Sequence, residues 1–241
     1  MRRSLFPLLL LLAPCAATFA ATPPLPGFTP ADLARLVDVT EPAFSPDGEW
    51  VAYTVTSANL DTDQPQSDLW RVRYADARVS MQLTRTPETD EWQPQWSPDG
   101  RSLAFLSDRG GEEATTQVWL MAANGGEARK LTDLSGGVED YAWSPDGTRL
   151  ALIASDPERP AGVAKPKNPP PIVIERYQFK EDGSGYLGTR RKHLYLLDVA
   201  SGRSELLTPG PHDEMLPAWS PDGRQIAFTV WNYDAQFWRW R

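Results

Sequence analysis

A four-residue motif, Ser-Pro-Asp-Gly, recurs along the chain and constrains its fold more than any other feature. Each copy directly follows an aromatic residue, and the copies run from Ser45 to Gly48, Ser97 to Gly100, Ser144 to Gly147 and Ser220 to Gly223. A repeat at this spacing is typical of propellers and other arrays of similar units. The third interval is longer than the first two, which predicts an insertion in the third unit.

A second landmark gives the phase of the repeat, because the dipeptide Leu-Thr closes the first three units at Leu83-Thr84, Leu131-Thr132 and Leu207-Thr208. Between the two landmarks lie short apolar runs, such as residues 102–106 and 117–121, joined by Pro-Asp-Gly or Gly-Gly turns. Four antiparallel strands in a repeat of this length form one blade of a β-propeller. We therefore expect an all-β fold: a partial, open β-propeller of three blades plus part of a fourth, after one short N-terminal helix.

The landmarks divide the chain into four predicted segments. These are a signal peptide (1–20), a lead-in with the short helix (21–40), the partial propeller (41–230) and an atypical aromatic tail (231–241). We expect the blades at about 41–84, 90–132, 138–208 and 214–230, with the insertion at 155–192. The insertion is either a solvated loop or a place for binding and docking, as long excursions from a scaffold often are.

The N-terminus has the three parts of a secretory signal peptide: Arg2 and Arg3, an apolar run at 5–13, and small residues leading to a cleavage site after Ala20. The run is too short to span a bilayer. We expect a periplasmic or secreted bacterial protein. A twin-arginine signal and lipidation at Cys15 are the alternatives.

Charge and composition argue against several classes of partner. Acidic residues outnumber basic ones by 32 to 24, and the longest basic run is Arg190 to Lys192, which argues against nucleic acid. No apolar stretch after the signal peptide argues for a membrane. With two histidines and one cysteine in the whole chain, the sequence predicts no metal site and no cofactor.

Candidate site residues are few. The four motif serines precede a proline and a hairpin turn, instead of standing at the strand-to-helix elbow of a nucleophile, so we expect them to be structural. Glu112 and Glu113 form an acidic pair in a loop and could hold the free amino group of a substrate by charge-assisted hydrogen bonds. A solvated loop is the alternative for this pair. We expect no catalytic residue in the chain.

Four stretches of the phased repeat, at 28–53, 96–109, 125–132 and 176–208, resemble the N-terminal propeller of the prolyl oligopeptidase family of serine peptidases. The resemblance is to the bacterial dipeptidyl-peptidase and acylaminoacyl-peptidase-like branch. It implies a propeller that filters and binds peptide substrates and caps an α/β-hydrolase domain, which follows in sequence and carries the catalytic Ser, Asp and His. The segment that carries those residues in the family is absent here, so we expect a catalytically inactive fragment.

The resemblance leaves two functions open. The first is the propeller portion of an exported serine exopeptidase, and the second is a TolB-like periplasmic module for protein–protein binding. We expect peptide substrates in the full-length parent, and a partner protein or the parent's C-terminal domain at the open blade edges, since an open arc leaves apolar faces in water. The aromatic tail is either a truncated or out-of-frame end, or an edge strand or docking tail that a partner covers.

Overall fold

The computed structural model describes residues 27–111, 114–157, 171–174, 179–181, 185–186, 188 and 190–231. In this part of the chain the structure is almost entirely β-strand, with one short helix, α1 (Pro30–Leu33). Thr29 and Asp32 form a capping box at its start, as their types and spacing predict. The helix is only four residues long, and the first strand begins at Val37. No helix of the described residues is long and apolar enough to cross a membrane.

Three four-stranded antiparallel sheets follow one another along the chain. Within each sheet, every strand pairs with the strand of that sheet that comes next in the sequence. The first sheet contains β1 (Val37–Phe44), β2 (Trp50–Asn59), β3 (Gln64–Arg73) and β4 (Asp76–Gln82). The second contains β5 (Glu91–Trp96), β6 (Ser102–Ser107), β7 (Gln117–Ala122) and β8 (Arg129–Lys130). The third contains β9 (Val138–Trp143), β10 (Arg149–Ser155), β13 (Lys192–Asp198) and β14 (Ser204–Leu206).

Two smaller pieces complete the described structure. The insertion contributes a short hairpin, β11 (Lys180–Glu181) and β12 (Gly185–Tyr186), between the second and third strands of the third sheet. The fourth sheet contains β15 (Asp213–Trp219) and β16 (Ile226–Trp231) within the described residues. The predicted open propeller with four antiparallel strands per blade is therefore confirmed. The predicted signal peptide and the tail from residue 232 onward lie outside the described residues.

Each Ser-Pro-Asp-Gly motif forms the turn between the first and second strands of its sheet. In the second sheet, the hydroxyl of Ser97 donates to the Asp99 carboxylate at 2.6 Å and accepts the backbone N–H of Ser102 at 3.0 Å. The N–H of Gly100 donates to the carbonyl of Ser97 at 2.8 Å, and Gly100 has a φ of 69°, which suits glycine. The same bonds recur at Ser45, Ser144 and Ser220. The serines are thus committed to turn hydrogen bonds.

The turns of successive sheets also stack on one another. A Cβ added to Gly100 would lie 3.6 Å from Cδ of Pro46 in the preceding turn. A Cβ added to Gly147 would likewise lie 3.4 Å from Cδ of Pro98, and one added to Gly223 would lie 3.6 Å from Cδ of Pro145. The turn of each sheet therefore lies against the turn of the following sheet.

The threonine of each Leu-Thr landmark has a specific role at the third strand. The hydroxyl oxygens of Thr84, Thr132 and Thr208 each accept a backbone N–H at 2.9 Å, from Leu69, Val118 and Leu194 respectively. These hydroxyls accept backbone N–H groups of the third strand at points where the fourth strand no longer pairs with it. Buried backbone donors need such partners. The landmark therefore marks the edge of each sheet.

The core lies between the sheets, because alternate side chains of one strand face opposite neighbours. In β6, Leu103 and Phe105 pack toward the first sheet with Ala52 and Leu69, whereas Ala104 and Leu106 pack toward the third sheet. A smaller cluster around Ile153 joins the third sheet to the fourth. The sheets thus form a row in which each one buries its face against the next.

Candidate functional site

The first strands of successive sheets are linked through the residue that stands four positions before each motif serine. We call these residues, Glu41, Gln93, Asp140 and Leu216, the axial row. The backbone N–H of Gln93 donates to Glu41 Oε2 at 2.6 Å, and the Gln93 side-chain amide donates to Asp140 Oδ1 at 2.6 Å. A line of hydrogen bonds therefore joins the inner edges of the first three sheets, where the axis of a propeller lies.

Backbone geometry sets the position of the axial row. Glu41, Gln93 and Leu216 have φ values of 54°, 53° and 54°, and a shift of strand register follows each of them. Such bulges bend an edge strand and redirect its side chains. A proline follows each of these three residues, whereas Tyr141 follows Asp140, which is not among the residues with positive φ.

Tyr141 takes the place of that proline and contacts the axial row at Gln93. Its ring is almost fully buried, and its hydroxyl donates to the backbone carbonyl of Gln93 in the preceding sheet at 2.6 Å. Burial raises the pKa of Tyr141 well above its usual value. The phenol therefore stays protonated at physiological pH and acts as a structural donor between sheets.

The axial row offers acceptors to a ligand. Glu41 is exposed, and its Oε2 already accepts the hydroxyl of Thr54 at 2.7 Å as well as the N–H of Gln93. With Asp140, which is linked to Glu41 through Gln93, the row contains two carboxylates and no basic side chain of its own. This chemistry suits a cationic or hydrogen-bond-donating group, such as the amino end of a peptide.

A buried ion pair lies between the first and second sheets. Glu91 is fully buried, and its Oε1 accepts from Arg109 Nη2 at 2.7 Å and from the Thr89 hydroxyl at 3.0 Å. The Arg109 guanidinium lies 4.8 Å from the ring centre of Trp119. Burial, followed by the negative charge of Glu91, raises the pKa of nearby Asp68. Arg109 therefore supplies the cation that balances the buried carboxylate of Glu91.

The equivalent place between the third and fourth sheets holds a histidine. His193 is buried, with Nδ1 3.3 Å from Glu214 Oε2 and Nε2 3.5 Å from Asp156 Oδ1. The contact with Glu214 is within ion-pair distance but lacks hydrogen-bond geometry. Glu91 and Glu214 both stand six residues before a motif serine. The same structural position is therefore occupied by a glutamate in both places, but the partner of that glutamate is an arginine in one and a histidine in the other. No group of three or more metal-ligating side chains forms among the described residues.

Glu112 and Glu113, the predicted substrate-binding pair, lie outside the described residues. The loop that carries them leaves β6 beside the Glu91–Arg109 pair, since Arg109 bonds Ser107 at the end of that strand. It returns at Ala114, whose N–H donates to Gly111 at 2.9 Å. Binding of a substrate amino group by the two glutamates stays a prediction.

The axial row and the two buried acids were not singled out by the sequence. Their signal is their position relative to the motif. The axial row stands four residues before each motif serine, whereas the buried acids stand six residues before two of them, in the dipeptides Asp90-Glu91 and Asp213-Glu214. Alignment of the four units on their serines would have found them.

Comparison with known proteins agrees with this architecture. A family model described as the TolB beta propeller domain matches residues 36–167. The chain is 36% identical over 206 residues to the uncharacterized peptidase YuxL of Bacillus subtilis, covering 84% of this chain and 31% of that protein. It is also 36% identical over 225 residues to dipeptidyl-peptidase 5 of Porphyromonas gingivalis, covering 83% of this chain and 31% of that protein.

A solved structure, the acylaminoacyl peptidase of Pyrococcus horikoshii, superposes with a TM-score of 0.59 at 17% identity. The match covers 83% of this chain and 32% of that one, and at this identity it supports the fold alone. The chain thus spans about a third of the length of these proteins. The matches confirm the resemblance to peptidase propellers. Because the family model covers more than half of the sequence and the sheets form the arc of a propeller, the chain belongs to the TolB beta propeller domain family.

Proposed function

We propose that the chain is the propeller portion of an exported serine exopeptidase of the prolyl oligopeptidase family, and that it admits and binds peptide substrates in the full-length parent. The observation that carries this proposal is the likeness, across most of the chain, to two proteins named as peptidases. On its own the chain is proposed to be catalytically inactive. Cleavage of residues 1–20 on export is part of the same proposal.

The carboxylates of the axial row give the proposal a physical basis. A short peptide that enters along the axis carries a positive amino end, and Glu41 and Asp140 offer acceptors to it. Glu112 and Glu113, in the loop that starts beside Arg109, are proposed to bind that amino group at its final position. Substrates with blocked amino ends would lose this interaction.

The decisive experiment compares this chain with the complete reading frame that contains it. Both are assayed with fluorogenic dipeptide substrates, free and acetylated at the amino end. The complete protein is expected to release the fluorophore, and this chain is expected to release none. Turnover by this chain alone, or a complete protein without peptidase activity, would contradict the proposal.

The substrate-binding role of the glutamate pair has its own test in the complete protein. Glu112→Gln and Glu113→Gln are expected to raise KM for free dipeptides about tenfold or more each, since each removes a charge-assisted hydrogen bond. Glu127→Gln, which changes an exposed acid in the connection between β7 and β8, is the matched control and should leave KM unchanged. An unchanged KM in both pair variants would remove these residues from the site.

A second candidate function is a periplasmic protein-binding module, which is favoured by the family match to the TolB beta propeller domain. It predicts a stoichiometric complex with one periplasmic protein, isolated after cross-linking in intact cells. Failure to recover such a complex, together with dipeptidase activity of the complete protein, would decide for the first function.

A further inference from the structure

Every interface between neighbouring sheets contains the same two kinds of side chain. The aromatic residue just before a motif serine shares a buried cluster with the residue seven positions after the preceding motif serine, which is an alanine each time. These aromatic–alanine pairs are Trp96 with Ala52, Trp143 with Ala104 and Trp219 with Ala151. A small side chain on one sheet leaves room for a ring from the next, as close packing requires.

The first sheet carries the aromatic half of such a pair without its alanine. Phe44 precedes the first motif serine and is 59% exposed, whereas Trp96 at the same place in the second sheet is 8% exposed. Phe44 pairs with Val51 across the hairpin, and Val39 pairs with Val55, so these four apolar residues share one face. We call this the leading face.

The turn of the first sheet lacks its neighbour as well. The other three motif glycines each lie against the motif proline of the preceding sheet. Around Gly48, apart from its chain neighbours, no atom of the described residues lies within 4 Å of an added Cβ. Ring packing and turn packing are therefore both unfilled on the same side of the first sheet.

The fourth sheet carries the complementary halves. Ala227 stands seven positions after Ser220 and is exposed. Its strand neighbour Ile226 packs against the third sheet, so Ala227 faces away from it. The same face holds three further residues, which pair across the β15–β16 hairpin or alternate with its buried positions: Met215, Ala218 and Thr229. We call these four residues the trailing face.

The two faces match each other better than either matches itself. Neither of the two sets of four contains a charged side chain. Two leading faces would place Phe44 against Phe44 with no alanine to receive either ring, and two trailing faces would place small residues against small residues and leave gaps. One leading face against one trailing face reproduces the packing found between the sheets of this chain.

We propose that two copies of this chain associate head to tail, with the leading face of each copy against the trailing face of the other. Phe44 of one copy then lies over Ala227 of the other, and Pro221 lies against Gly48. The strand β1 lies against β15 and β16 of the second copy, as β5 lies against β1 and β2 within one chain. Each junction thus continues an interface that the fold already uses.

The number of copies follows from the number of sheets. Head-to-tail contacts give a closed ring when their rotation closes and a filament when it does not. The described residues of one copy form four sheets in a row, and propellers close with about four to eight blades. Two copies therefore suffice for a closed ring with two equivalent junctions. This inference concerns the chain itself and does not depend on the proposed peptidase function.

Sedimentation velocity of the full chain tests the dimer directly. The unsubstituted chain is expected to sediment as a dimer at about 50 µM and to dissociate on dilution. Phe44→Glu and Ala227→Glu each place a carboxylate without a cation in both junctions, so each variant alone is expected to dissociate about a hundredfold or more readily. Leu60→Glu is the matched control, because Leu60 is 73% exposed in the β2–β3 connection, outside both faces.

Mixing the two variants tests the head-to-tail arrangement. The Ala227→Glu chain keeps its leading face and the Phe44→Glu chain keeps its trailing face, so the mixture contains one intact junction. Native mass spectrometry, which separates the two masses, is expected to find a heterodimer in the mixture and monomers in each variant alone. Circular dichroism of each variant checks that it is folded before mixing.

Several results would overturn the proposal. An unsubstituted chain that is monomeric at this concentration would do so whatever the variants show, and the leading face would then be left to a different protein. Larger polymers would exclude the closed ring. A dimer that persists in the Ala227→Glu variant alone would show that two leading faces, or surfaces outside both faces, join the copies.

Discussion

The indole N–H of Trp96 donates a hydrogen bond to the backbone carbonyl of Ala43, in the preceding sheet, at 3.0 Å. Trp219 makes the same bond to Ala142 at 3.0 Å. Trp143 occupies the equivalent place between them, yet its Nε1 is buried and has no hydrogen-bond partner among the described residues. Two of the three tryptophans that precede a motif serine therefore tie one sheet to the next, and the third contributes packing alone.

This difference predicts unequal effects of one substitution. Trp96→Phe removes a hydrogen bond between sheets and is expected to lower the free energy of unfolding by about 1 kcal/mol more than Trp143→Phe, which removes an unsatisfied donor. Urea unfolding followed by circular dichroism measures both variants against the parent chain. Equal losses would show that the Trp96–Ala43 bond contributes nothing to stability.

The landmark threonines provide a second prediction. Thr132→Val keeps the shape of the side chain but leaves the buried N–H of Val118 without its acceptor, so we expect a loss of about 1 to 3 kcal/mol. Thr132→Ser retains the hydroxyl and serves as the control, with a smaller loss from the missing methyl group. A Val variant as stable as the Ser variant in urea unfolding would contradict the role of the hydroxyl.

Gly136 is the subject of the third prediction, because a Cβ at this position would stand 1.6 Å from the backbone carbonyl oxygen of Ser155. Gly136→Ala requires a backbone shift and is expected to unfold the chain or lower its stability by about 3 kcal/mol or more. Among the described residues, apart from its chain neighbours, no atom lies within 4 Å of a Cβ added to Gly188, so Gly188→Ala is the matched control and should be nearly neutral. Thermal unfolding distinguishes the two variants, and equal midpoints would refute the steric argument.

The buried pair of Glu91 and Arg109 leads to the fourth prediction. Arg109→Met leaves the Glu91 carboxylate buried without its cation and is expected to cost about 3 to 5 kcal/mol. The double variant Glu91→Leu with Arg109→Met removes both charges and should recover most of that loss. If the double variant is no more stable than the single one, the pair contributes through packing and not through charge.

The turn aspartates lead to a prediction about pH. The hydrogen bond from the Ser144 hydroxyl, helped by two from Thr148, lowers the pKa of Asp146 to about 2. A carboxyl group whose pKa is depressed by folding stabilises the fold above its unfolded pKa, about 3.9, and this contribution disappears as pH falls through the folded value. Asp146→Asn is therefore expected to be less stable than the parent at pH 6, with a difference that shrinks between about pH 4 and about pH 2. A difference that stays constant over that range would rule out ionisation as its source.

Much of the fold could be predicted because its turns use local chemistry. The Ser-Pro-Asp-Gly turn needs only residues close together in sequence, such as Ser97, Asp99 and Gly100, so four copies of the motif indicate four similar sheets. The Leu-Thr landmark is nearly as local, since Thr132 bonds Val118 across one hairpin. Local hydrogen bonds leave a repeated pattern in the sequence.

The candidate site was harder to predict because its contacts cross between sheets. Gln93 meets Asp140 and Glu41 across long separations in sequence, and the residues of the axial row are of different types. His193 and Glu214 meet only because the third and fourth sheets pack together.

The stacked turns have a consequence for how such a protein arises. Pro98 lies against Gly147 in the same way that Pro46 lies against Gly100. The turn of one unit therefore contacts the following unit through its proline and the preceding unit through its glycine. A unit copied by gene duplication would find a matching turn on either side of it. The row of turns could therefore be lengthened without new turn residues, whereas the buried contacts between sheets, which differ from pair to pair, would have to change.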